Sequence, residues 1–454
     1  MAERKKKTKL FGTDGIRGKA NHEPMTGDIA FEVGRAAAHI LRKKDGLNRI
    51  LIGKDTRLSG YMIESALTSG ICSMGTNVVL VGPLPTPGIA FATRSLRADA
   101  GIVISASHNP FDDNGIKFFS SEGFKLQDDT ETEIEKIMYS RKLEKIRPEG
   151  SGIGKATRID DVSGRYIEYI KSTFPKGKTL EGIRVVVDCS NGSAYKITPA
   201  VLTELGADVI SINDEPDGLN INANCGTTFP ATLQKAVLEY RADIGIAHDG
   251  DADRTLICDE KGELVDGDQI MALCAIDLKK EKKLKGNTVV ATVMSNIGFE
   301  LFLKKSGIKL IRTDVGDRYV VEEMIKRGCN LGGEQSGHIV FLDHNTTGDG
   351  PITALQVLSV MSRSGKKMSK LTSNISIYPQ VLVNVPVRNP MNIGKYSGIK
   401  TAIRKANNKL NSGRILVRPS GTEPKVRVMI EGDHIDEITQ LAEEIAEVIK
   451  KNMK

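Results

Sequence analysis

Asp249, Asp251 and Asp253 occupy alternate positions in "DIGIAHDGDADRTLIC", the stretch from Asp243 to Cys258. An apolar run, residues 244–247, leads into them, and alternate residues of an extended chain project to the same side. Three carboxylates so placed repel one another unless a cation sits between them. Oxygen donors without His or Cys favour Mg²⁺ or Ca²⁺. The spacing overlaps that of an EF-hand loop, with Glu260 at the twelfth position. Arg254, however, stands where that loop requires glycine, and the flanks are strand-like. An arginine beside such a cluster can hold a phosphate oxygen that the metal also touches.

Three carboxylates leave Mg²⁺ short of oxygen donors, and a phosphate is the natural addition. A carrier for one stands in "GIVISASHNPFDDNGIKFF", Gly101 to Phe119. Here an apolar run ends in Ser105, Ser107, His108 and Asn109, and Lys117 follows. Ser, Asn and Pro also end strands for purely conformational reasons. Taken with the aspartates, Ser107 becomes the candidate phosphoryl carrier and a further oxygen donor to the metal. His108 and Lys117 are then the candidate proton carriers, unranked.

Two more stretches carry polar groups on glycine-rich backbone. In "GGEQSGHIVFLDHNTTGDG", Gly332 to Gly350, Glu334 and Ser336 offer an acceptor and a hydroxyl suited to sugar hydroxyls or an amine. His338 reads equally as structural or functional. "TTGDG" reads most simply as a turn capping the helix at Ile352. In "VRPSGTEPKVR", Val417 to Arg427, the residues Arg418, Ser420, Thr422 and Arg427 surround Gly421 and together make an anion cradle. "GSGIGKAT", Gly150 to Thr157, lacks the spacing and final Ser/Thr of a P-loop, and no G-x-G-x-x-G follows a strand, so no motif supports an ATP-dependent kinase.

The elements that must position these residues recur along the chain. Strand, polar turn, helix, Gly, strand is read at Arg49–Gly82, again at Gly182–Ile212 and again at Gly286–Asp317. The strands are continuous Val/Ile runs, as expected of buried mixed or parallel sheets. From about Tyr378 the pattern changes to strands flanking a turn with a closing helix over Asp436 to Lys451, an α+β module. Linkers are expected near residues 147–156, 259–266 and 368–379.

Composition bounds the partners. The chain has 454 residues, 39% hydrophobic and 27% charged, room for three or four domains. No apolar run approaches the roughly 18 residues that span a bilayer. The basic start, residues 1–10, is followed by no apolar segment, so no secretory signal is read. A cytoplasmic enzyme with no membrane partner is expected. Six scattered cysteines form no C-x-x-C pair, which leaves reduced thiols and no zinc motif. Net charge is +7, but aromatics are only 5% and Trp is absent, so no stacking platform for nucleic acid is in view. A basic balance suits a phosphorylated substrate.

Gly101–Phe119, Asp249–Arg254, Gly333–His338 and Arg418–Thr422 resemble, in order, the four signature segments of the α-D-phosphohexomutases. "FGTDGIRG", Phe11 to Gly18, is similar to that family's opening segment. The likeness covers nearly the whole chain. It implies three similar α/β domains and a C-terminal α+β domain around a central cleft: residues 1–155 with the phosphoserine, 156–258 with the metal loop, 259–372 with the sugar-binding loop and 373–454 with the phosphate-binding loop.

The wording of "SASHNP", "GEQSGH" and "NCGTT" is similar to the branch acting on glucosamine phosphates. The implied activity is that of an isomerase interconverting glucosamine 6-phosphate and glucosamine 1-phosphate, and so feeding UDP-N-acetylglucosamine synthesis. The route runs through phospho-Ser107 and a 1,6-bisphosphate intermediate. One Mg²⁺ per site is implied, with glucosamine or glucose 1,6-bisphosphate as the phosphorylating activator. Arg17 is expected near the phosphoserine, Arg254 beside the metal, and Glu334, Ser336 and His338 at the sugar. Arg418, Ser420, Gly421, Thr422 and Arg427 are expected at the phosphate not being transferred. The resemblance leaves a monomer or homodimer open. Competing readings are a glucose- or mannose-phosphate mutase, a metal-dependent phosphatase, and a non-catalytic sugar-phosphate sensor.

Overall fold

The computed structural model describes residues 9–12, 14–42, 48–410, 413–420 and 424–453. The chain divides into two compact units. One runs to Val293 and resumes over Ile311–Ser373; the other combines Met294–Leu310 with Asn374–Lys454.

The first unit holds three sheets. In the first, β1 (Ile16–Lys19), β2 (Arg49–Lys54), β3 (Asn77–Pro83), β4 (Ala100–Ile104), β5 (Asp113–Ser120) and β6 (Ala156–Arg158) lie in the order β1-β5-β4-β2-β3-β6. The second contains β7 (Arg184–Asp188), β8 (Asp208–Ile212), β9 (Ile244–His248), β10 (Thr255–Asp259) and β11 (Leu264–Val265), ordered β11-β10-β9-β7-β8. The third contains β12 (Thr288–Thr292), β13 (Lys309–Thr313, of which residues 311–313 belong to this unit), β14 (Leu331–Gly333) and β15 (Ile339–Phe341), ordered β13-β12-β14-β15.

One four-strand plan therefore appears three times. Its first strand is central, its second and third lie on either side, and its fourth lies beyond the third. In the first two sheets the central strand pairs in parallel with both neighbours. In all three the fourth strand turns back antiparallel on the third. Helices such as Gly60–Cys72, Thr86–Ser95, Ala231–Glu239 and Asp317–Arg327 fill the crossovers, as parallel pairing requires. Helix-covered faces explain the unbroken apolar strands: residues 100–104, 185–188 and 288–292 are all buried.

Two local expectations change. Residues 259–266, expected as a linker, form a hairpin in which β11 pairs with β10. Residues 156–158, inside another expected linker, pair as β6 with the edge strand β3.

The second unit is the expected α+β module. β16 (Gln380–Pro386), β17 (Gly413–Pro419) and β18 (Lys425–Gly432) form an antiparallel sheet ordered β16-β18-β17. Helix Ile435–Asn452 covers it through Ile438, Leu441, Ala442, Ile445 and Ile449, the three- and four-residue spacing of one helical face. Among the described residues no helix is long and apolar enough to cross a membrane.

Candidate active site

Three of the chemistry-bearing loops occupy the same place in the repeated plan, between its third and fourth strands. Ser107 lies between β4 and β5, Asp249–Asp253 between β9 and β10, and Glu334, Ser336 and His338 between β14 and β15. Each begins at the carboxyl end of a buried strand, where open α/β sheets collect ligands.

Ser107 is 1% exposed and has φ +53°, a left-handed backbone that a non-glycine residue adopts only under constraint. The constraints are hydrogen bonds. Its N–H donates to Ser105 Oγ at 2.9 Å, and that hydroxyl donates to Asp55 Oδ2 at 2.6 Å. Asp55 in turn pairs with the buried Arg57 at 2.8 Å. The side chain is left to reach across to the second sheet. Ser107 Oγ donates to Asp249 Oδ2 at 2.6 Å and lies 3.1 Å from His108 Nδ1. Burial, then Arg254 and Arg17, push the His108 pKa down to about 4, so the ring is neutral near pH 7.

Asp249, Asp251 and Asp253 are buried together, with one oxygen from each within 4.8 Å of the others. Burial and the charges of Asp253 and Asp251 push the Asp249 carboxyl well above its ordinary value. Burial alone would raise Asp253 too, but His338 and Lys117 outweigh it and hold that group well below. Asp251 Oδ1 and Asp253 Oδ1 are buried without a hydrogen-bond partner. Orphaned carboxylate oxygens beside a carboxyl forced toward its neutral form are what a divalent cation would relieve, so the donor set fits one. Asp251 is held from the first sheet's side, where Thr86 Oγ1 donates to Oδ2 at 2.7 Å.

Lys117, 1% exposed on β5, points into the same cluster. Its Nζ is 2.9 Å from Asp251, 3.2 Å from Asp14 and 3.7 Å from Asp253. Burial would lower its pKa, but those three carboxylates raise it well above the usual value, so the group is a fixed ammonium. Arg254 donates its N–H to Asp249 Oδ1 at 3.1 Å, while its buried Nε has no hydrogen-bond partner.

The surrounding charges alternate in sign. Lys125 Nζ bridges Asp14 at 2.5 Å and Asp317 at 2.6 Å. Arg17 pairs with Asp14. His338, 3% exposed, faces Asp253 at 3.6 Å through Nδ1 and Asp317 at 3.2 Å through Nε2. Burial would lower the His338 pKa; Asp253 and Asp317 raise it to about 10. His338 is thus built into the charge network around the aspartates. Asp14, Asp317 and Lys125 were not singled out from the sequence. Asp14 lies inside the opening "FGTDGIRG", but Lys125 and Asp317 carry no local signal.

Glu334 keeps an open acceptor. Its Oε1 takes the Gly316 N–H at 3.2 Å and its Oε2 the exposed Ser336 hydroxyl at 3.3 Å. Gly337 (φ +90°) lets this loop pass β10, since a Cβ there would lie 2.1 Å from Thr255 O. Asp349 of "TTGDG" caps the helix Gly350–Ser364 by accepting the Ile352 N–H at 2.9 Å. In the second unit Arg418 on β17 and Arg427 on β18 are direct register partners, and Ser420 follows β17, 5% exposed. Gly421 and Thr422 lie outside the described residues.

Comparison with known proteins agrees along the chain. The alpha/beta/alpha domains I, II and III of phosphoglucomutase/phosphomannomutase match residues 8–145, 164–262 and 266–378, and the C-terminal domain of the same proteins matches residues 382–448. The chain is 59% identical over 448 residues to the phosphoglucosamine mutase of Geotalea uraniireducens and 56% identical over 449 residues to that of Syntrophotalea carbinolica, covering 98% of both chains in each case. The crystal structure of Aspergillus fumigatus N-acetylphosphoglucosamine mutase, in complex with GlcNAc-6P and magnesium, has a similar fold: TM-score 0.71 at 19% identity, over 100% of this chain and 97% of that one. The chain belongs to the phosphoglucomutase/phosphomannomutase family and, within it, to the phosphoglucosamine mutases.

Proposed function

We propose that this chain interconverts glucosamine 6-phosphate and glucosamine 1-phosphate, supplying the 1-phosphate to amino-sugar nucleotide synthesis. Phospho-Ser107 donates its phosphoryl group to the free hydroxyl of the sugar, a 1,6-bisphosphate forms, and the other phosphate returns to Ser107. The observation that carries this reading is the 2.6 Å contact between Ser107 Oγ and Asp249 Oδ2, which sets the hydroxyl against three buried carboxylates.

Asp249, Asp251 and Asp253, with a phosphoryl oxygen on Ser107, would hold the divalent cation; their oxygen-only character favours Mg²⁺, the ion in the A. fumigatus relative. When bound, it supplies charge neutralisation to the phosphoryl oxygens. Phosphoryl transfer depends on positioning and charge more than on covalent help. Lys117 serves as a fixed positive charge, because three carboxylates hold its ammonium. His108, neutral and 3.1 Å from Oγ, is the group placed to exchange a proton with the serine oxygen. Arg254, whose Nε has no hydrogen-bond partner, and Arg17 would bind the phosphoryl group. Glu334 and Ser336 read the sugar, Glu334 offering its carboxylate to the substrate ammonium. Arg418, Ser420 and Arg427, with Gly421 and Thr422, hold the phosphate not being transferred. Glucosamine 1,6-bisphosphate or glucose 1,6-bisphosphate would charge Ser107 initially.

Relative kcat/KM on glucosamine, glucose and mannose 1-phosphates tests the reading. The glucosamine ester should lead. Stoichiometric release of inorganic phosphate would show a phosphatase instead.

A further inference from the structure

The Ser107 carbonyl is gripped from two sides. Arg57 Nη2 donates to Ser107 O at 2.9 Å and to Asn109 O at 2.9 Å. Asn222 Nδ2, from the segment between β8 and β9, donates to the same two carbonyls at 2.9 and 3.0 Å. Arg57 sits in the first-sheet portion with Ser107, but Asn222 is 115 residues away in sequence and belongs with the metal loop. Its own N–H donates to Ser190 O at 2.9 Å, and the Ser190 hydroxyl donates to His248 O at the end of β9. Gly250, the residue after Asp249, completes the joint. A Cβ there would lie 2.8 Å from Ser107 O and 2.9 Å from Asn222 Nδ2. Three segments can therefore close on one carbonyl only because this position has no side chain.

With its N–H tied to Ser105 and its carbonyl to Arg57 and Asn222, the Ser107 backbone has no slack, and only the Oγ torsion remains free. We infer that Asn222 is a positioning residue for phosphoryl transfer: it locks the left-handed Ser107 peptide to the domain that carries Asp249, so the serine oxygen keeps one alignment through both transfers. This inference rests on the proposed mutase reaction. The Asn222 side chain donates only to the Ser107 and Asn109 carbonyls among the described residues, so it acts through the Ser107 backbone.

Two variants test it. Asn222→Gly removes the amide and tolerates the φ of +58° found there. Asn222→Asp keeps size and shape but turns an acceptor toward two carbonyls. The full chain would be assayed with glucosamine 1-phosphate and glucose 1,6-bisphosphate, measuring kcat, KM, the thermal midpoint, and bisphosphate escaping to solution per turnover. For both variants kcat should fall about 100-fold, as expected for misplaced reacting groups, with KM within about twofold of the parent. Escape of bisphosphate should rise, because the second transfer is the slowed competitor of release. A structural role alone would lower the midpoint without changing the escape ratio. Unchanged kcat, a KM effect alone, or unchanged escape overturns the inference. Parent protein that lacks mutase turnover would instead overturn the reading on which it rests.

Discussion

Lys117 Nζ lies 2.9 Å from Asp251 Oδ2, although 134 residues separate them. The ammonium of the first sheet thus occupies the edge of the carboxylate cluster of the second. Its position gives the lysine two opposed effects: it neutralises the aspartates, and it competes for them with any cation.

Lys117→Met should separate those effects. Divalent-ion affinity, read by titration calorimetry, should rise because a buried positive charge has gone. Turnover should fall by about 100-fold, the scale of removing one preorganised charge from a transition state. Metal-free protein should lose about 3–5 kcal/mol, since the buried carboxylates lose their partner. Weaker ion binding in this variant would contradict the placement.

Mg²⁺ should raise the thermal midpoint of the parent protein, and a chelator should reverse the gain, because an ion that binds only the folded chain stabilises it. The gain should vanish when Asp249, Asp251 and Asp253 are all replaced by Asn. A gain that survives in that variant would place the ion elsewhere.

The sugar loop carries its own test. Glu334 accepts hydrogen bonds from the Gly316 N–H and the Ser336 hydroxyl, and its carboxylate oxygens keep lone pairs that can meet an ammonium. Glu334→Gln should lower kcat/KM for glucosamine 1-phosphate at least about tenfold more than for glucose 1-phosphate, the scale of one charge-assisted hydrogen bond. Equal losses on the two sugars would remove Glu334 from amine recognition.

Asp349 gives a stability signature outside the site. It is 2% exposed, and burial raises its pKa to about 6 despite donors from Ile352, Asn345 and Tyr166. A raised carboxyl pKa means that the folded chain retains a proton which the unfolded chain releases near pH 4. Its contribution is therefore full below about pH 4 and is lost as pH rises to about 6, on the order of 3 kcal/mol in all. Relative to Asp349→Asn, which does not titrate, the parent's thermal midpoint should decline across that window and then run parallel. A constant difference from pH 4 to 7 would refute the shift.

Much of this was legible in the residues, for local reasons. Alternating aspartates after an apolar strand, hydroxyls at a strand end and glycine-rich turns each carry a short-range signature, and all three loops fall where the third strand of the repeated plan meets the fourth. Residues 259–266 escaped because a two-residue strand such as β11 is too short to show periodicity. Helix Ile297–Lys305 groups with the C-terminal unit, which its strand-turn-helix setting gave no reason to expect. Lys125, Asp317 and Asn222 were invisible for a different reason. Each acts through a partner more than 100 residues away, Asp14 for Lys125, Lys125 for Asp317 and Ser107 for Asn222, and only the folded chain brings those pairs together.

Intact mass with peptide mapping reaches the central claim most directly. After incubation with glucose 1,6-bisphosphate and Mg²⁺, the chain should carry one phosphoryl group, on the peptide containing Ser107, and Ser107→Ala should carry none and fail to turn over. A Ser107→Ala protein that retains full activity, or a phosphate found only on another residue, would contradict it.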